Sequence, residues 1–316
     1  MKKACAVLSM CFMILLTACG GFSRCAWADE SRPASQPRER VVLGKCLVIP
    51  PVGRYGRAAV YTDAVEARLT SGQPFAPKAG DTVNLPDGTS RTWQAIDADQ
   101  NGRLKHAALK GGYAYIPLNV RAETPKVMLL AATGHGMVYV NGEPRAGDPY
   151  RTGYVWLPVL LKPGRNDLLF HCVRGELVAK LVSADAPALL NVADATLPDL
   201  IIGQAVRTLG AAVVINATTA PLNDLFIRAA GSKVETTTTP LPPVPPLSVR
   251  KVGFELAGPA PSAQGQCKVN LEIMKDGEIT DAETVTLRIR RPEQSYKQTF
   301  RSQIDGSVQY YAVNPA

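Results

Sequence analysis

Met137-Val138-Tyr139-Val140-Asn141-Gly142, and then Leu161-Lys162-Pro163-Gly164-Arg165-Asn166 running into Asp167-Leu168-Leu169-Phe170, are the residues on which the fold turns. The first ends an apolar run at Asn-Gly, the dipeptide that most readily takes the two positive φ angles of a tight hairpin turn. In the second, Pro163 presets one turn dihedral and Gly164 supplies a positive φ that a residue with a β-carbon resists. Apolar runs flank both, at 127–130, 155–161, 168–173 and 177–182. Short strands with turn chemistry every roughly 8 to 12 residues indicate a β-sandwich. A helical bundle would need an apolar period of about 3.6, and a parallel sheet would need crossover helices.

The rest of the chain continues the pattern. Residues 41–49 read as a strand stopped by Pro50-Pro51, and 62–69 as one or two helical turns capped by Thr62 or Asp63. Pro74, Pro77, Gly80, Pro86 and Gly88 exclude a long element over 74–88, and strands follow around 92–96 and 112–120. A connection is expected over 185–198. Strands then fall at 200–205, 209–217, 222–229, 248–256, 267–274, 284–290, 296–304 and 308–313. Over 284–290 the alternation is clean, with Val285, Leu287 and Ile289 opposite Thr286, Arg288 and Arg290. Five prolines between Pro240 and Pro246 suit an extended edge, since proline donates no ladder hydrogen bond. The expected architecture is all-β, in two sandwiches: one over 41–190, and one over 191–316 whose count of about seven short strands looks like an immunoglobulin or fibronectin type III sandwich.

At the amino end Lys2 and Lys3 precede an apolar stretch, 4–16, too short to span a bilayer, which reads as an export signal. Leu16-Thr17-Ala18-Cys19-Gly20 has the form of a bacterial lipobox, with Cys19 as the lipidated first residue after a signal of 1–18. Ala26-Trp27-Ala28 offers an ordinary cleavage site instead, after Ala28. The lipobox follows the apolar core directly, which favours a cell-envelope lipoprotein held to the membrane by its lipid; cleavage after Ala28 would give a periplasmic or secreted protein. Residues 19–40, with Pro33, Pro37 and several charges but no apolar period, read as a flexible tether.

The formal charge of +8 is dispersed along the sequence and shrinks when Lys2, Lys3 and Arg24 are set aside, which argues against nucleic acid as a partner. No dinucleotide loop, Walker sequence, G-x-S-x-G elbow, H-E-x-x-H or C-x-x-C occurs, so no cofactor is expected. Cys46, Cys172 and Cys267 stand alone in sequence; Cys46 and Cys172 are the one pair placed to bridge the first domain. Asp97, Asp99 and Asn101, with Gly102 in the sixth place, copy the start of a calcium loop. The copy then fails at Lys105 and Ala108, and an acidic turn explains the same residues. His135, between Gly134 and Gly136, is the one histidine that flanking glycines could expose as a general base. Tyr150 and Tyr154, with Arg145, Asp148 and Arg151, form a candidate ligand loop: rings to cover the apolar face of a sugar and polar groups to orient it.

Val140-Asn141-Gly142 followed by Leu161-Lys162-Pro163-Gly164-Arg165-Asn166 resembles the jelly-roll, galactose-binding-like domains attached to many extracellular glycosidases and hydrolases. The whole arrangement resembles the noncatalytic amino-terminal half of secreted bacterial hydrolases of the α/β-hydrolase and prolyl-oligopeptidase-like kind. That resemblance implies an accessory module whose partner is a hydrolase domain, and places the family's catalytic triad beyond Ala316. It leaves two alternatives, a complete hydrolase using His135 and a truncated esterase or peptidase.

Overall fold

The computed structural model describes residues 40–53, 63–72 and 75–315. The segment read as an export signal, Cys19, the cleavage site after Ala28, the tether up to residue 39 and Thr62 lie outside them. Nearly every element is a strand. The first sandwich has two antiparallel sheets. In one, the order is Arg40–Val42, Glu176–Ser183, Lys126–Thr133 and Trp156–Leu161, with Arg103–Lys105 also pairing Glu176–Ser183. In the other, it is Glu143–Ala146, His135–Val140, Gly164–Cys172, Tyr113–Val120, Lys45–Ile49 and Gln94–Asp97. Between the sheets lies a core that includes Val48, Leu104, Ile116, Leu130, Val138, Val159, Leu168, Phe170 and Leu181.

The chain crosses between these two sheets four times at corners of three residues or fewer. It does so between Val42 and Lys45, at Gly134, at Lys162-Pro163, and over residues 173–175. Residues 41–49 are therefore two strands, not the single one their sequence suggests. Gly134 has φ +92°, and a β-carbon there would stand 2.1 Å from the carbonyl oxygen of Glu176, so only glycine makes that corner. Asn141 and Gly142 have φ +51° and +88°, with Val140 paired to Glu143: the two-residue hairpin expected from Asn-Gly.

Asn166 ties these corners together. Its side chain is fully buried, accepts from Lys162 N at 2.9 Å and donates to the carbonyls of Lys162 (2.8 Å) and Gly164 (3.2 Å). Asn141 Nδ2 donates to the same Asn166 Oδ1 at 3.0 Å, and Asn141 Oδ1 accepts from Asp167 N. One amide thus closes the corner between the sheets and fastens the hairpin beside it.

The outer face of the second sheet carries a smaller core of Ile49, Trp93, Tyr113, Tyr115 and Leu169, roofed by the helix Ala64–Thr70. Asp63 caps that helix, accepting from Val65 N and Glu66 N at 2.8 and 2.9 Å, and Tyr139 donates to Glu66 at 2.6 Å.

The second sandwich sets Ala188–Thr196, Val206–Asn216 and Val249–Gly258 against Leu200–Ile201, Glu278–Arg290, Gly265–Lys275, Leu225–Gly231 and Val234–Pro240. Residues 185–198, expected as a connection, supply its first strand, because Ala188 and Leu190 drop into the second core. Leu200–Ile201 is only two residues long and pairs in parallel with Glu278–Arg290. The threonine- and proline-rich strand ends at a sheet edge, as proline requires. Tyr296–Arg301 and Val308–Val313, expected as sandwich strands, form a separate hairpin, joined to the body by Thr299 donating to Leu209 O at 2.5 Å.

Leu129, Val182, Leu189, Ile215 and Ala217 form a further buried cluster where the two sandwiches meet. Two polar contacts cross the same junction: Arg145 Nη2 to Leu247 O at 2.6 Å, and Asn191 Nδ2 to Tyr154 O at 2.8 Å. Because removing the buried Asn166 amide leaves the partly buried Lys162, Gly164 and Asn141 groups without their partner, Asn166→Ala should cost about 2 kcal/mol of stability in urea unfolding. A loss below about 0.5 kcal/mol would contradict the role given to it.

Candidate functional site

Of the five residues singled out above, Asp148, Tyr150, Arg151 and Tyr154 lie in the loop between Glu143–Ala146 and Trp156–Leu161 and Arg145 in the strand that leads into it, and they take different roles. Asp148 is buried beneath it, accepting from Thr152 N at 3.0 Å and Gly153 N at 2.6 Å while its carbonyl accepts from Gly134 N. Its carboxylate is committed to shaping the loop rather than facing a ligand. Arg145 is likewise engaged with Leu247 O, and burial lowers its pKa. Leu247 holds φ +46°, a left-handed backbone uncommon for leucine, as its carbonyl meets that guanidinium.

The two tyrosines face out. Tyr150 is 76% exposed and Tyr154 45%. Arg174, absent from the sequence candidates, sets its guanidinium 5.5 Å from the centre of the Tyr150 ring. Arg151 reaches Glu176 at 3.7 Å from a backbone with φ +60°. The loop therefore presents Tyr150 and Arg151, with Arg174 and Glu176 beside them from the neighbouring corner and strand, on a frame pinned from below by Asp148 and from the side by Asn191.

His135 is placed otherwise. Met137 pairs with His171 and His135 with Cys172, so Gly136 is an extra residue, a bulge that swings the preceding side chain inward. The ring is 1% exposed, packs edge-on to Phe170 at 5.2 Å, and among the described residues neither nitrogen has a hydrogen-bond partner. Burial drives its pKa down to about 4 despite the attraction of Asp148. The glycines on either side bury this histidine instead of exposing it, and among the described residues no hydroxyl or carboxylate is hydrogen-bonded to it as a general base requires. His106 caps the turn Ala107–Leu109 through Nδ1, and His171 stacks on Tyr113 at 4.8 Å.

Asp97 and Asp99 do not converge. Asp99 Oδ1 accepts from Asn101 N and Arg103 N, at 2.9 and 3.0 Å, which makes the segment an acidic turn, while Asp97 faces Lys45 at 3.9 Å. Among the described residues no group of three or more His, Cys, Asp or Glu side chains comes together. Cys46, Cys172 and Cys267 are free thiols, all buried; burial raises the pKa of Cys46 to about 12 and that of Cys172 as well. Among the described residues no helix is long and apolar enough to cross a membrane.

No family model and no curated protein sequence matches the chain. Similar solved structures exist among glycoside hydrolases. A β-glucuronidase from Bacteroides uniformis is 9% identical with a TM-score of 0.41, over 88% of this chain and 34% of that one. A GH2 β-galacturonidase from Eisenbergiella tayi, bound to galacturonate, is 13% identical with a TM-score of 0.37, over 86% of this chain and 46% of that one. The chain thus spans less than half the length of either protein.

The buried histidine has a consequence for stability. The unfolded chain binds a proton at His135 near pH 6.5 and the folded one only near pH 4, so stability falls as pH drops through that window. Comparing urea unfolding at pH 7 and pH 4.5, His135→Leu should shrink the acid-induced loss by about 2 to 3 kcal/mol. Parallel pH profiles for the two proteins would contradict the burial of a neutral imidazole.

Proposed function

We propose that the chain is a noncatalytic accessory module of an exported hydrolase, binding carbohydrate through the loop at 143–154. The observation that carries this reading is Tyr150, a largely exposed ring on a loop fixed by the buried Asp148 carboxylate. Tyrosine offers a broad, rigid contact surface at a small cost in side-chain entropy, which suits the flat C–H face of a pyranose. Arg151, Glu176 and Arg174 stand around it with the donors and acceptors that fix a ligand's orientation. Export rests on the signal at 1–18, and Cys19 is the proposed point of membrane attachment. The catalytic partner is proposed to be a hydrolase domain, of the esterase or peptidase kind that the sequence resemblance implies.

A glycan array followed by calorimetry on the hits tests the reading. Tyr150→Ala should weaken binding about tenfold, the order expected for one buried ring contact, and leave the melting temperature within about 1 °C. An array with no hits, or a variant whose defect is a lowered melting temperature alone, would contradict it.

A further inference from the structure

A cluster of cations surrounds one carboxylate at the end of the first sandwich that carries Tyr150. Glu176 sits directly opposite Lys105 in the sheet. Its carboxylate is 3.8 Å from the Arg103 guanidinium, 3.9 Å from the Lys105 ammonium and 3.7 Å from Arg151. The stem of Lys110 lies along Gly175, where an added β-carbon would stand 3.1 Å from Lys110 Cγ. Arg174, next in the chain, is over Tyr150 and has no carboxylate partner among the described residues. Asp99 is a second acid beside Arg103, its pKa lowered chiefly by the backbone hydrogen bond from Arg103 N and to a smaller extent by the charges of Lys105 and Arg103. Asp148 is buried under the loop with its oxygens occupied.

Arg103, Lys105 and Arg151 therefore share the partly exposed Glu176 carboxylate, with Asp99 beside Arg103 and Lys105, while Arg174 has none among the described residues. Pairs at nearly 4 Å between partly exposed groups are weak, so one glutamate does not neutralise three neighbours. The cations come from three separate segments, and Arg151 reaches the cluster from a left-handed backbone.

We propose that this surface binds an acidic oligosaccharide, with Arg174 and Arg151 on its carboxylate or sulfate groups and Tyr150 against a sugar face. The proposal rests on the carbohydrate reading above and names the ligand class of the same site. Guanidinium groups match planar carboxylates and sulfates through paired N–H donors. Glu176 and Asp99 accept from hydroxyls, which a sugar acid carries beside its charge. A DNA backbone offers only acceptors and would meet those two carboxylates as repulsion.

Calorimetry on the full chain at low salt, with an oligomannuronate and a neutral β-1,4-mannan oligomer of equal length, tests the assignment. The acidic oligomer should bind at least about tenfold more tightly, and its affinity should fall with added salt. Arg174→Ala and Arg151→Ala should each weaken it roughly five- to twentyfold, and Arg174→Lys should recover part of the loss. Equal affinity for the neutral oligomer, still lost in Tyr150→Ala, would overturn the acidic assignment and leave the carbohydrate reading standing. Binding of neither oligomer would overturn both. A single-stranded oligodeoxynucleotide of equal charge bound as tightly as the oligomannuronate would overturn the choice of a saccharide.

Discussion

A single buried amide, that of Asn166, holds the first sandwich in register. Inside a sheet each backbone group finds its partner in the neighbouring strand, but where the chain crosses from one sheet to the other the ladder is broken and its groups need partners from elsewhere. At Lys162-Pro163-Gly164 those partners come from Asn166, and the same oxygen reaches Asn141 in the next hairpin. Asn166 itself is buried, and one amide serves both corners, so the two corners stand or fall together. The hairpin they secure leads into the loop that carries Asp148 and Tyr150.

That loop is anchored from three directions. Asp148 holds Thr152 and Gly153 from inside, Gly134 donates to Asp148 O from the sheet corner, and the second sandwich contributes Asn191 and the carbonyl of Leu247. A shared apolar cluster of Leu129, Val182, Leu189 and Ile215 keeps those partners in place. The second sandwich thus acts as a brace for the first one's loop. An exposed ring on such a frame loses little further freedom when it meets a ligand, which is the usual advantage of a preorganised surface.

What could be read in the sequence follows the range of the interactions involved. Asn141-Gly142, Pro163-Gly164 and Asp63 act on neighbours a few residues away, and the structure has them where their chemistry placed them. Which sheet a strand joins depends on distant pairing, so the break at Leu43-Gly44 and the recruitment of Ala188–Thr196 to the second core were not legible. Flanking glycines at His135 are compatible with a ring turned either way, and the bulge at Gly136 chose the interior. The positive charge read as dispersed is in part collected: Arg103, Lys105 and Lys110 are far from Arg151 and Arg174 in sequence and meet only through the strand pairing of Glu176 with Lys105.

Amide chemical-shift mapping on the isotope-labelled chain, titrated with the oligomannuronate, tests the central claim most directly, because it locates the ligand without presuming a residue. The account places the shifts in residues 103–110, 148–154 and 173–176, which lie far apart in sequence and together at one end of the first sandwich. Shifts centred instead on the hairpin 296–313, where Phe300 and Tyr311 also stand exposed, would contradict it.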